Sequence, residues 1–338
     1  MSVLSRPAIL LASASVAAGL LIAPAAAYAA DTTTDLSAAQ MKAAVQAVAA
    51  ATDTASAQGW ASDLDLNITF GGTTATGWQT IVTDREHGLL TASFAVQGQP
   101  ATSVFLDEGA GGYESISDDS RTKAALKMIG RPTATYTFTA DPTLTLADDA
   151  PSPLELVSPV AGAGTGAGTK TVHDDGSVDY VFTDTTVGTV TLHTDASSVL
   201  TAASTEFKED EATLSQQIDY RYGPQTVTLP EAGTTVDAKT FAKGLAYLDM
   251  SGMVRTAAVS GAADTRRAAK GGKIKVATLR KLVRRDASET DQAAGGVDVV
   301  KVKNITSGVR VYATNPWTKK SVAYTVTASG RKVLVKKA

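Results

Sequence analysis

Residues 215–230, SQQIDYRYGPQTVTLP, decide how the rest of the chain is read. Successive side chains of an extended strand point to opposite faces. Gln216, Ile218, Tyr220 and Tyr222 therefore share one side, and Gln217, Asp219 and Arg221 the other. Gly223-Pro224 interrupts, a short alternation follows at Val227 and Leu229, and Pro230 ends it. The strip is either a site or the closing strand of a sheet, and the residues before it choose between the two.

Working backwards, the sequence keeps a period of two. GTVTLHTD (188–195) runs through Asp195-Ala196 into SSVLTAASTEF (197–207), and KEDE (208–211) leads to the quoted strand. TKTVHDDGSVDYVFTD (169–184) turns at Asp175-Gly176, a dipeptide that favours a tight hairpin. Further back, DLDLNITF (63–70) places Leu64, Leu66, Ile68 and Phe70 on one face and Asp63, Asp65, Asn67 and Thr69 on the other. WQTIVTD (78–84), GLLTASFAV (88–96), ATSVFLDE (101–108) and TATYTFTA (133–140) read the same way. Such runs joined by short turns describe an antiparallel meander with one apolar face.

Helices interrupt it. LSAAQMKAAVQAVAAAT (36–52) has a capping box in Ser37 and Gln40, a staple in Leu36 and Met41, and an apolar stripe of Met41, Ala44, Val45 and Val48. SRTKAALKMIG (120–130) is a second, shorter helix capped from 117–119. PVAGAGTGAGTK (159–170) reads as a flexible loop. It is no phosphate-binding loop, because Thr169 stands where glycine must precede the lysine.

The N-terminus, MSVLSRPAILLASASVAAGLLIAPAAAYAADTTT, has one cation, an apolar run and the small residues Ala27 and Ala29, so it reads as a secretory signal cleaved after Ala29. No cysteine occurs anywhere, which excludes disulfides, thiolate chemistry and attachment through a lipidated cysteine. The expected location is extracytoplasmic, without a lipid anchor. After Asp249 the chain holds nineteen Lys/Arg and five Asp/Glu, so a basic C-terminal region follows an acidic one. VDAKTFAKGLAYLDM (236–250) is helical, with Phe241, Leu245 and Leu248 on one face. A basic helix around VATLRKLVRR (276–285) and four short strands, VDVVKVK, GVRVYAT, SVAYTVT and KVLVKK, complete it. The organisation expected is a signal peptide (1–29), a sheet domain (30–233) and a basic α+β module (234–338).

The ordered series of helix, one-sided meander, GTVTLHTDASSVLTAASTEF and the closing Tyr222-Gly223, Val227, Leu229-Pro230 resembles the LolA-like carrier superfamily, in particular its actinobacterial LppX/LprG branch, over residues 36–230. The resemblance implies an α+β fold: a strongly curved antiparallel sheet, a half barrel, with helices on its concave side around a cavity for acyl chains. It implies carriage of lipids or lipoproteins across the cell envelope. The branch is typically anchored through a lipobox cysteine, which this chain lacks, and the basic module lies outside its pattern.

The residues expected to line the apolar face are Leu64, Leu66, Ile68, Phe70, Leu90, Phe94, Tyr136, Phe138, Val178, Tyr180, Phe182, Val190 and Leu192. Leaving such a face in water is untenable, since each large apolar side chain gains about 1.5–3 kcal/mol on burial. Either helices pack it dry, as in an envelope interaction or sensor protein, or a ligand shares it. Arg266, Arg267, Lys270, Lys273, Lys275, Arg280, Lys281, Arg284 and Arg285 would attract an anionic membrane or cell-wall polymer. Nucleic acid is not an expected partner of an exported chain. No enzyme chemistry, cofactor or metal is expected. His87, His173 and His193 are not spaced as ligands and are expected at the surface, and the acidic pairs suit turns and caps.

Overall fold

The computed structural model describes residues 31–157, 165–185, 187–209 and 211–338; the expected signal peptide and residues 158–164 of the glycine loop lie outside these. In chain order the elements are β1 (Thr32–Leu36), α1 (Ala38–Ala55), β2 (Trp60–Phe70), β3 (Thr73–Asp84), β4 (Leu89–Val96), β5 (Thr102–Asp107), β6 (Gly111–Ser115), α2 (Ser120–Met128), β7 (Tyr136–Ala140) and α3 (Leu146–Asp149). There follow β8 (Thr165–Val172), β9 (Val178–Asp184), β10 (Gly188–Thr194), β11 (Leu200–Glu209), β12 (Ala212–Tyr222) and β13 (Thr235–Asp237). The remainder is α4 (Ala238–Leu248), α5 (Met250–Ala269), α6 (Val276–Ala293), β14 (Lys301–Ile305), β15 (Gly308–Thr314), β16 (Ser321–Ser329) and β17 (Lys332–Lys337).

Thirteen strands make one curved sheet in the order β1-β8-β9-β10-β11-β12-β2-β3-β4-β5-β6-β7-β13, open at both edges, and β14 to β17 make a second sheet. All pairings in the large sheet are antiparallel except that of β13 with β7. The fold is the expected α+β arrangement of a curved antiparallel sheet with helices, followed by a smaller unit.

The strand at 212–222 closes the meander in chain order, yet it lies mid-sheet. It pairs with β2 over eleven positions, from Ala212 opposite Phe70 to Tyr222 opposite Trp60. Two meanders, β2–β7 and β8–β12, are thereby one sheet with one continuous apolar face. Ile218, Ala203, Leu192 and Tyr180 stand side by side on that face across four strands, and all are buried. Buried Tyr220 donates its hydroxyl to the Pro153 carbonyl at 2.8 Å, and Tyr222 donates to the Leu200 carbonyl at 2.6 Å. Burial holds both phenols above their ordinary pKa, so they stay neutral donors.

Helix α1 starts at the expected capping box, both halves of which form, and lies across β8 and β11. Its Met41, Val45 and Val48 share a core with Trp60, Ile81, Leu90, Val190, Leu192 and Ile218. Leu146 of α3 and the following Leu154 and Val157 complete that core over the Trp60 end of β2 to β4.

One expectation changes, and two elements were not expected. Thr165–Val172 is strand β8 rather than loop. Its glycines serve close approach, because a Cβ on Gly168 would lie 2.0 Å from the Val181 carbonyl oxygen. The Thr-rich segment before α1 is strand β1, paired with β8. Helix α5 was hidden by its small residues. Ala257, Ala258 and Ala262 are fully buried, and a Cβ on Gly261 would meet the Val283 Cα of α6 at 2.7 Å. Helix α4 joins the two units. Its Phe241 packs with Leu126, Ala134 and Val236, while Tyr247 meets Trp317 edge to face at 5.9 Å between centroids.

If the β12–β2 seam carries the large sheet, Ile218→Ala should cost about 2–5 kcal/mol in denaturant unfolding. A loss below about 1 kcal/mol, typical of a surface position, would show that the seam is dispensable.

Candidate functional site

The thirteen residues expected along the apolar face fall in four places. Leu90, Val178, Tyr180, Phe182, Val190 and Leu192 are buried in the core beneath α1 and the 146–157 segment. Leu64 and Leu66 are half-buried at its margin. Beyond them the same face is uncovered: Ile68 is 43 % exposed, Phe70 68 % and Phe94 45 %, with Val96 beside them at 48 %. Tyr136 and Phe138 are on the opposite face. The register sets this: Phe138 stands opposite Tyr113, Tyr113 opposite Phe105, and Phe105 opposite Thr91, the neighbour of inward-facing Leu90. There they form ring pairs, Phe105–Tyr136 at 5.5 Å and Tyr113–Phe138 at 4.7 Å.

At the uncovered end the sheet and α4 bound a cleft of about 790 Å³. Phe94, Val96, Thr102, Glu114 and Thr137 come from β4, β5, β6 and β7, and Ile116, Ala238 and Phe241 also line it. The walls are positioned by caps. Asp119 accepts from the Thr122 amide at 2.8 Å to begin α2, and Asp237 accepts from the Thr240 amide at 2.7 Å to begin α4. These hydrogen bonds hold both carboxyls below the usual carboxylate range. Helices α2 and α4 meet at Gly244, where a Cβ would lie 2.9 Å from Ile129 Cγ2. The lining includes the carboxylates Glu114 and Asp118 and neither lysine nor arginine.

The apolar surface runs on from the cleft. Val96 stands opposite Gly77, and Gly77 opposite Leu66; Ala75 stands opposite Ile68. The small residues of β3 thus form a trough between Val96 on one side and Leu66 and Ile68 on the other. Pockets that take small ligands have this size, and here Phe94, Val96, Ile116 and Phe241 share the wall with polar residues that include Gln99, Ser115, Ser117 and Thr122.

Val96, Ile116 and Phe241 were not among the residues expected to line the site. Val96 continues the Leu90–Phe94 alternation by one step and was legible. Ile116 follows a glycine-rich strand, β6, that carries little strand signal, and Phe241 reaches the cleft only because α4 packs on α2.

The nine basic residues are dispersed in role. Arg266 donates to the Val333 carbonyl, Arg280 to those of Ile305 and Gly308, and Arg284 to Asn304. Arg285 pairs with Asp264, Asp286 and Glu289, and Arg267 with Asp264. Lys270, Lys273, Lys275 and Lys281 are exposed. Among the described residues no group of three or more His, Asp or Glu is arranged to hold a metal ion, and no helix is long and apolar enough to cross a membrane.

His173 and His193, expected at the surface, are partly exposed there and meet one carboxylate. Asp179 contacts His173 Nε2 at 3.0 Å and His193 Nδ1 at 2.6 Å, while His173 Nδ1 lies 3.1 Å from Asp31. The hydrogen bond to Asp179, then the Asp31 carboxylate, raises the His173 pKa against the opposing effect of desolvation.

No family model matches the chain, and no curated protein matches it. Among solved structures, an uncharacterized conserved protein of Thermus thermophilus is 8 % identical at a TM-score of 0.30, covering 57 % of this chain and 98 % of its own. A LolA superfamily protein of Nitrosomonas europaea is also 8 % identical, at 0.23, covering 57 % and 97 %. The Pseudomonas aeruginosa MucA/MucB complex is 10 % identical at 0.24, covering 85 % of this chain and 75 % of the matched one. Scores this far below 0.5 carry no argument, and the architecture rests on the strand register above.

The contacts of His173 make stability pH-dependent with a defined sign. The folded pKa of His173 is raised from 6.5, so its contribution is full below about 6.5 and is lost as pH rises through the higher folded value. The melting-temperature deficit of His173→Gln should therefore be largest near pH 6 and shrink by about pH 9. A deficit that does not vary with pH would contradict this.

Proposed function

We propose that the chain is an exported, non-enzymatic binding protein that holds the acyl chain of a lipid or acylated protein. The observation that carries this reading is the 790 Å³ cleft opening onto the uncovered end of the apolar face. Four large side chains stand there in solvent, Ile68, Phe70, Phe94 and Val96. Full burial of such a side chain from water is worth about 1.5–3 kcal/mol, and these, 43–68 % exposed, would each gain about half of that, so a chain lying along the trough has a driving force. The lining carries the carboxylates of Glu114 and Asp118, the latter paired with Lys123 at 2.8 Å, and itself contains neither lysine nor arginine, which favours a neutral headgroup over a free fatty acid carboxylate.

The N-terminal sequence pattern supports export, and the order of motifs over residues 36–230 supports a carrier of the LolA-like kind, nearest the LppX/LprG branch without its lipobox cysteine. The division at residue 233 belongs to the same reading: an acyl-binding domain, then a basic module that brings it to an anionic envelope surface. A second reading, an envelope interaction or sensor protein without a ligand, draws on the dry packing of Leu90, Val178, Tyr180, Phe182, Val190 and Leu192. The two differ at the open end alone.

Native mass spectrometry of the purified protein should find a co-purified acyl species. Val96→Glu, at an exposed position, should reduce its occupancy about tenfold or more by placing a charge against the chain. Repeated ligand-free spectra from the wild type would favour the second reading.

A further inference from the structure

The outer face of the C-terminal sheet carries charge of one sign. Val309, Val311 and Ala313 of β15 are buried in the core shared with α5 and α6, so Arg310 and the residues in register with it face away. Lys303 stands opposite Arg310, Arg310 opposite Thr325, and Thr325 opposite Lys336. Three cations thus form one row across the four strands. Lys301, opposite Tyr312, and Lys332, opposite Ser329, flank the row on the same face. All five are exposed.

Like charges directly opposite one another destabilise a sheet, and the C-terminal sequence supplies little to offset this. Residues 299–338 hold nine Lys/Arg and no Asp/Glu. Lys301 pairs with Asp298, and Arg310 lies over the Tyr312 ring, 5.8 Å from its centroid. No other cation of these four strands pairs with a carboxylate among the described residues. The face is also partly apolar, with Leu334 41 % exposed between the cations.

We propose that this sheet face docks on an anionic lipid bilayer. Opposed cations are favourable where a continuous anionic layer faces them. Four of the five cations on this face are lysines, compact point charges suited to a layer of laterally mobile headgroups, whereas the fixed fork of arginine suits carboxylates held in place on a protein. Tyr312 and Leu334 suit the boundary between headgroups and acyl chains. The inference stands on the sheet's own charge, goes beyond the carrier reading, and moves the contact surface from the α5–α6 segment to the strands.

Vesicle flotation tests it with the full mature chain. Wild type should float with mixed phosphatidylglycerol–phosphatidylcholine vesicles, release as salt rises from about 0.1 to 1 M, and ignore pure phosphatidylcholine. At about fivefold per cation, Lys303→Gln, Arg310→Gln and Lys336→Gln together should weaken binding about a hundredfold. The triple variant should keep the wild-type melting temperature; if it fails to fold, Lys301→Gln with Lys332→Gln should weaken binding about twenty-five-fold. Three outcomes overturn the proposal: no flotation of wild type, equal flotation with neutral vesicles, or loss only when Lys270, Lys273 and Lys275 are changed to Gln. Chains extracted from the floated protein report on the cleft separately, so vesicle binding and acyl occupancy can fail independently.

Discussion

The eleven-residue pairing of β12 with β2 is the constraint from which the rest of the large sheet follows. The seam joins the two meanders, β2–β7 and β8–β12. Joined at this seam, they place Trp60, Ile218, Leu192 and Met41 in one core. Helix α1 and the 146–157 segment pack on only part of a face spread over many strands. Coverage therefore ends part-way along β2 and β4, and the uncovered end is a consequence of the topology rather than a local irregularity.

That division separates stability from function. Beneath α1 the face is dry and close-packed, and substitutions there act on folding. Past Leu66 the same strands run on with Ile68 and Phe70 in solvent. Helix α4 reaches across from the C-terminal side to wall the cleft with Phe241, while its Tyr247 packs against Trp317. One helix thus serves both units, which couples the cleft physically to the small sheet.

Much of this was legible in the sequence. The capping box of α1 and the period-two alternation of β2, β4, β9, β10 and β12 identified a helix and a one-sided antiparallel sheet. Alternation assigns a residue to a face of its own strand, however, and says nothing of which strands are neighbours. The central place of β12 and the opposite facing of Tyr136 and Phe138 were therefore invisible, since both depend on register. Glycines misled twice. At Gly168 and Gly261 they permit backbone contact in a strand and a helix, where composition alone suggested a loop or no element. Phe241 could not be assigned to the cleft because its contact with α2 spans more than a hundred residues of sequence.

The central claim is that an apolar chain lies along the uncovered end of the face and stays out from under α1. Photo-crosslinking with a monoacylglycerol carrying a diazirine in its acyl chain, followed by peptide mapping, tests this most directly. The account predicts adducts on peptides containing Ile68, Phe70, Phe94, Val96 and Phe241. Adducts concentrated on Val178, Val190 or Leu192, beneath α1, would contradict it.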